Sequence, residues 1–263
     1  MQWFFALTED STAFRQYAEM AMVAVHTARK FTSLQPHCIY DGGENDFTRW
    51  LTQHEVKIIR HRSFVREALE ELGRQKGNPH LAAALSGAFS RVELPELVGK
   101  PGGAARVLYT DCDVIFFEEV VPELEANRCN YFAVAPESAQ EDYVNMNTGV
   151  MLMNVERLRE SLPELREYVS KNLADLERES WDEAAYRWFY RDNTGPLWDR
   201  LRPELNWKPY WGENARAKII HFHGPKPYQR DHIEAHWPEL KPLTRGSYPA
   251  LVEQWSELLK EAR

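Results

Sequence analysis

The sequence is poor in cysteine. Its 263 residues contain three, Cys38, Cys112 and Cys129. The number is odd and no two form a Cys-x-x-Cys pair, which argues against a disulfide framework or a thiolate zinc site and for a reducing compartment. Positive charge is also short: 32 Lys and Arg stand against 40 Asp and Glu, a net charge of −8. Nucleic-acid proteins usually carry a basic excess, so nucleic acid is not an expected partner. An anionic ligand would have to be held locally, by a metal or a few placed cations. No apolar run approaches the roughly 18–20 residues of a membrane span. The opening MQWFFALTEDS has no basic leader and turns acidic early, so it does not read as a signal peptide. A soluble, cytoplasmic protein is expected, with peripheral membrane contact left open. No long Gly, Ser or Pro linker and no internal repeat divides the chain, which predicts a single domain.

Aromatic side chains are plentiful, with nine Trp, eleven Tyr and twelve Phe. They can fill a core or line a groove for a flat ligand. Short apolar runs alternate with stretches of helical spacing. Strands are predicted at WFFALT (3–8), HCIY (37–40), VKIIRH (56–61), ARVLYTD (105–111), YFAVAPE (131–137), GVMLMNV (149–155) and KIIHFH (218–223). Helices are predicted over 11–30, with Ser11 or Asp10 as cap, and over 47–54, 63–76, 80–92, 156–179, 181–190 and 249–262. Lys100-Pro-Gly-Gly reads as a turn. The alternation predicts an α/β protein built from βαβ units around a parallel sheet. In such sheets ligands bind beyond the carboxyl ends of the strands. Thr8, Asp10, Asp41 and Asp111 all fall just after apolar runs.

VLYTDCDVIFFE (107–118) sets two carboxylates between apolar flanks. Residues i and i+2 of a strand share a face, with Cα atoms about 6–7 Å apart. If the chain turns at Cys112, Asp111 and Asp113 converge, and carboxylate oxygen suits hard ions such as Mg²⁺ and Mn²⁺. Read alone, the pair fits a metal site, a phosphatase nucleophile or a capped turn. Three further stretches bear on it. In NMNTGVMLMNVERLR (145–159) a polar Asn-Thr-Gly opens an apolar strand that leads into a helix, or is simply a turn before that strand. In IIHFHGPKPY (219–228) a strand delivers His221 and His223, and Lys226 follows as a point charge for phosphate. In SRVELPELV (90–98) Arg91 is a lone cation, read locally as a surface ion pair.

Taken in order, these stretches resemble the retaining glycosyltransferases of family 8, the group of glycogenin and the lipopolysaccharide galactosyl- and glucosyltransferases. The resemblance spans residues 3–228 and rests on FFALTEDS, FSRVELPEL, VLYTDCDVIF, NTGVMLMN, WDEAAY and HFHGPKPY. It implies a GT-A type fold, a Rossmann-like and mostly parallel sheet flanked by helices. Residues 1–113 would form the nucleotide-binding half and 114–263 the acceptor and catalytic half. The implied activity is transfer of a hexose from a nucleotide-sugar, UDP-glucose or UDP-galactose, to a glycan acceptor. Asp111, Asp113 and His221 would hold Mn²⁺ (or Mg²⁺), which bridges the donor diphosphate. Gly224 and Lys226 would contact that diphosphate, and Thr8 and Asp10 the uracil and ribose. Arg91, Asn147 and Asp182 would face the donor sugar, with Glu183 near the anomeric centre. Cys112, counted with the donor-binding residues, is a spacer rather than a reactive thiol.

The chain departs from the family pattern in the late motif. One residue, Pro225, separates Gly224 from Lys226 where the family commonly has two, which makes His223 a rival metal ligand. Tyr228 replaces a terminal tryptophan. The family's Asp-Gln pair reads Asp182-Glu183, and an adjacent Asp often present is Ala184. Two other functions stay open at this point. One is a haloacid-dehalogenase-like phosphatase with Asp111 as nucleophile, and the other is a sugar-nucleotide binder without turnover. WDRLRPELNWKPYWG (198–212) is an aromatic candidate for an acceptor platform.

Overall fold

The computed structural model describes residues 1–99, 105–233 and 238–263. The turn expected at Lys100-Pro-Gly-Gly lies outside the described residues. The first elements follow the apolar runs closely: β1 (Gln2–Thr8), α1 (Phe14–Phe31), β2 (Gln35–Asp41), α2 (Asp46–Gln53), β3 (Lys57–Arg60) and α3 (Arg66–Lys76). Then come α4 (Leu81–Leu97), β4 (Arg106–Thr110), β5 (Val114–Phe116), α5 (Val121–Ala126), β6 (Phe132–Pro136) and β7 (Met146–Asn154). The later chain forms α6 (Val155–Arg178), α7 (Trp181–Phe189), the short strands β8 (Arg191–Asp192), β9 (Gly195–Pro196) and β10 (Asp199–Arg200), β11 (Ile219–His221) and α8 (Tyr248–Ala262).

Seven strands form one sheet in the order β10-β6-β7-β4-β1-β2-β3. β3, β2, β1 and β4 run parallel, and β7 alone runs against them. Chain order reverses between β1 and its two neighbours, β2 and β4, which is the topological position where α/β sheets bind ligands. The exception matters for the site. Because β7 is antiparallel to β4, its first residues reach the edge where β1 and β4 end.

Apolar residues of both sheet faces are buried. One face packs against α1, the β5–β11 ribbon and α8, the other against α4, α6 and α7. Each fully buried Val, Leu or Phe contributes about 1.5–3 kcal/mol. Among the described residues, no helix is long and apolar enough to cross a membrane.

Three local expectations fail for tertiary reasons. Helix α1 starts at Phe14 without a side-chain cap, because Asp10 is bonded to Arg66 of α3 instead. Helix α4 continues past 92 to Leu97 through Pro95, whose carbonyl accepts from Arg159 of α6. Asn147-Thr148-Gly149 is no turn but part of β7, opposite a register shift between Val134 and Ala135 of β6.

Candidate metal centre and donor cleft

The cleft opens at the carboxyl ends of β1 and β4, with a cavity of about 330 Å³. Asp111 follows β4 directly, and its N–H donates to the Gly149 carbonyl of β7 at 2.9 Å. The chain then bends through Cys112 into β5. β5 pairs antiparallel with β11 in a register that sets His221 opposite Val114. That pairing brings His221 beside Asp113. Its Nε2 lies 3.4 Å from Asp113 Oδ1 and 3.6 Å from Asp111 Oδ2.

Ligand atoms of Asp111, Asp113 and His221 all lie within 4.8 Å of one another. Two carboxylates and one imidazole suit Mn²⁺ well and Mg²⁺ acceptably. Asp113 Oδ1 is buried and makes no hydrogen bond among the described residues, as expected of an atom aimed at a cation. The donor set therefore fits a divalent ion. His223 stands apart from this trio: its Nδ1 donates to Tyr210 Oη at 2.9 Å, and its Nε2 is 4.0 Å from Glu137. Burial, and the nearby His221, push the His223 imidazole down to about 3.

Two cations flank the aspartates. Lys226 Nζ is 2.5 Å from Asp113 Oδ2 and also donates to the Phe222 carbonyl. Burial works against the Asp113 charge, but Lys226 and His221 outweigh it and hold the carboxyl well below the ordinary range. On the other side, Arg91 is 3% exposed, far from the surface pair expected of it. It sits on α4, a helix with buried residues on every side, and its guanidinium spans three partners. These are Asp111 Oδ1 at 2.6 Å, Asp182 Oδ2 at 2.9 Å and the Thr148 carbonyl at 2.5 Å. Only a branched, always-charged group can bind in this way.

Asp182 and Glu183 open α7, where the helix dipole favours acidic side chains. Trp181 before them has φ +58, a left-handed conformation that costs a bulky residue about 1–2 kcal/mol. Trp181 and the acidic pair after it all line the cleft. Burial pushes Asp182 up to about 6 against the pull of Arg91. Burial and the neighbouring Glu137 push Glu183 up, while Arg187 opposes them. Glu183 accepts from Arg187 at 2.6 Å, from Asn147 at 3.1 Å and from the Thr148 N–H at 3.3 Å.

The cleft gathers most of the expected donor residues. Thr8, Arg91, Asp111, Cys112, Asn147 and Lys226 line it, as do Asp182 and Glu183. The Thr8 hydroxyl is buried without a hydrogen-bond partner among the described residues. Asp10 is not in the cleft lining: it lines a shallow pocket with Asp41 and Arg66. Gly224 does not line the cleft either, though its φ of +91 lets the chain turn between Phe222 and Lys226. The aromatic stretch 198–212 is packed rather than displayed. Trp198 and Trp207 are buried, and Tyr210 Oη and Trp211 Nε1 donate to the carbonyls of Glu137 and Ser138. Glu137, Arg187 and Asn206 had no expected role in the site. The polar Asn206 amid the aromatics of 198–212 was the one available signal.

No family model matches the chain, and no curated protein matches its sequence. Solved structures do match its fold. The glycosyltransferase GlyE of Streptococcus pneumoniae TIGR4 superposes with a TM-score of 0.65 at 16% identity, over 99% of this chain and 62% of that one. The galactosyltransferase LgtC, solved with donor and acceptor sugar analogues, matches with a TM-score of 0.62 at 17% identity, over 99% of this chain and 96% of that one. Mouse xyloside xylosyltransferase 1 follows with a TM-score of 0.56 at 15% identity, over 85% of this chain and 98% of that one. At these identities the likeness establishes a shared fold, a mostly parallel central sheet flanked by helices as in these GT-A enzymes. The chain spans less than two thirds of GlyE.

Proposed function

We propose that this chain is a metal-dependent retaining glycosyltransferase. It moves a hexose from a UDP-sugar, UDP-glucose or UDP-galactose, to a hydroxyl of a glycan acceptor. One observation carries the reading: Asp111, Asp113 and His221 converge, with Lys226 beside them, at the strand ends of a fold shared with GlyE and LgtC. LgtC was solved with donor and acceptor sugar analogues, and an active-site variant of it exchanges glutamine for glutamate.

Asp111, Asp113 and His221 are the residues that would hold Mn²⁺. When bound, such an ion acts as Lewis acid toward the donor diphosphate. Lys226 meets the charge that grows on the leaving phosphate oxygen, where a preplaced cation lowers the barrier. Arg91, fixed by Asp111 and Asp182, orients the donor sugar together with Asn147. The sugar passes through an oxocarbenium-like state, which a nearby carboxylate stabilises. Asp182 and Glu183 supply that carboxylate. Thr8 offers its free hydroxyl to the nucleoside. Asp10, bonded to Arg66 outside the cleft, would have to exchange that partner to reach the ribose.

A panel of UDP-sugars with Mn²⁺ tests the reading, scored by UDP release and protection from thermal unfolding. Protection and slow UDP release with one hexose, and α-configured product from an α-donor by NMR, are expected. Protection without turnover makes the chain a binding protein. Hydrolysis of a phosphomonoester without nucleotide, blocked by beryllium fluoride, makes it a phosphatase with Asp111 as nucleophile.

A further inference from the structure

We propose that Asn206 is a positioning residue that fixes the tautomer and tilt of the His221 ring and ties it to the sugar-side carboxylate Glu183. The inference rests on the metal-site part of the proposed function and is independent of sugar transfer. Asn206 is fully buried and lies outside the cleft lining. Its side chain bridges two residues from distant parts of the chain. Oδ1 is 3.0 Å from His221 Nδ1, and Nδ2 is 2.9 Å from Asn147 Oδ1.

Amide and imidazole orientations are ambiguous one at a time, because oxygen and nitrogen look alike and the ring proton has two homes. Here one backbone group removes the ambiguity. The Gly149 N–H can only donate, and it points at Asn147 Oδ1 at 3.2 Å. That end of Asn147 is therefore the oxygen, and its amino end donates to Glu183 Oε2 at 3.1 Å. The same oxygen faces Asn206, which must present its amino group. The remaining end of Asn206 is then an oxygen, and it accepts from His221. So His221 carries a proton on Nδ1, and its Nε2 is the nitrogen turned toward Asp111 and Asp113, the one that would face an ion. The three hydrogen bonds of this relay run the same way, from the imidazole through two amides to a carboxylate. Arg187 closes the far end by binding both Glu183 and Glu137.

Metal-binding histidines commonly donate their second ring N–H to an oxygen, and losing that partner weakens metal binding about 10–100-fold. In this chain the partner is a neutral amide whose other end reaches the donor-sugar side. A change at Asn206 is therefore felt at both ends of the cleft.

Long-range ¹H–¹⁵N NMR of the histidine rings tests this on the metal-free, full-length protein at about pH 8.5, where an ordinary imidazole is neutral. His221→Gln assigns the resonance. The expected ring has its proton on Nδ1. Mn²⁺ alone, titrated by electron paramagnetic resonance, provides the second readout. Asn206→Leu keeps the shape and removes the acceptor, and should weaken Mn²⁺ at least about tenfold; Asn206→Asp still accepts from Nδ1 but loses the donor to Asn147, and should weaken Mn²⁺ less than Asn206→Leu does. A wild-type ring without a proton on Nδ1 overturns the proposal, even if Asn206→Leu does not fold. Equal Mn²⁺ affinity in wild type and a folded Asn206→Leu also overturns it. An Nδ1 proton and weakened Mn²⁺, with no UDP released from any donor, would sink the transferase reading and uphold this one.

Discussion

His221 packs the Cε1 corner of its ring against Gly149. A Cβ on Gly149 would stand 2.0 Å from His221 Cε1, far inside contact distance. The glycine is thus required for space and not for backbone freedom, since its strand conformation is open to any residue. Gly149→Ala should push the ring away from Asp111 and Asp113. Mn²⁺ affinity should fall at least about tenfold, and overpacking should cost about 1–3 kcal/mol of stability. Calorimetric Mn²⁺ titration and urea unfolding measure the two effects. Unchanged Mn²⁺ binding would remove Gly149 from the site.

The ion pair of Lys226 with Asp113 and its proposed role at the leaving group can be separated. Lys226→Met should slow UDP release about 100–1,000-fold, the cost of losing a placed charge at the leaving group. It also leaves Asp113 buried with one cation fewer, which should cost about 3–5 kcal/mol at neutral pH. Asp113 is held below its ordinary value, so its contribution is present above about pH 4 and lost as pH falls through the folded value. The stability gap between wild type and Lys226→Met should narrow on acidification below about pH 4. A gap that stays constant down to pH 2–3 (roughly the lower limit of the ordinary carboxylate range) would show that the ion pair is not its source.

Asp182 has the opposite sign. Its carboxyl is raised to about 6, so the folded state holds the proton more tightly than the unfolded chain. The stability it adds is complete below about pH 4 and is lost as pH rises through about 6. Asp182→Asn lacks this term. Wild type should lose about 2–3 kcal/mol relative to the variant between about pH 4 and 7. Urea midpoints at the two pH values measure it, and parallel profiles would reject the raised value. The same variant should lose donor turnover, because Arg91 would keep one carboxylate of two.

Lys208 is fully buried, with the Pro136 carbonyl and the Trp211 ring as its partners. Burial drives its ammonium well below the ordinary lysine value. The unfolded chain binds that proton more tightly, so the Lys208 contribution to stability should rise with pH up to about 10. Lys208→Met should be more stable than wild type at neutral pH by about 1–4 kcal/mol. That advantage should shrink in alkali. A destabilised variant at neutral pH would show that the ammonium is retained and paired with Glu137 or Glu183.

Most helices were legible because each buries one face and leaves its period in the sequence, and most strands because burial on both faces leaves a short apolar run. Asp111 and Asp113 were legible for the opposite reason, as charges that interrupt an apolar run. The misses share one cause: partners distant in sequence. Asp10 looked like a helix cap until Arg66 took it. Arg91 looked exposed because its two carboxylates come from β4 and α7. Asn147 and Thr148 looked like a turn because a polar strand has no apolar alternation, and their partner Glu183 belongs to another element. Asn206 had no signal beyond being polar among aromatics. A hydrogen-bond relay is a property of three-dimensional order and has no period to detect.

The β5–β11 ribbon also sets an order of events. All seven strands of the main sheet have been synthesised once Arg200 is made, but the ribbon waits for Ile219–His221. Until then Val114, Ile115 and Phe116 offer an unpaired apolar edge, the kind of strand that recruits a second chain. The candidate metal site is therefore a late product of folding, assembled across a long loop whose closure is slow. The chain can acquire its shape before its ligand set, and it is most prone to self-association in that interval.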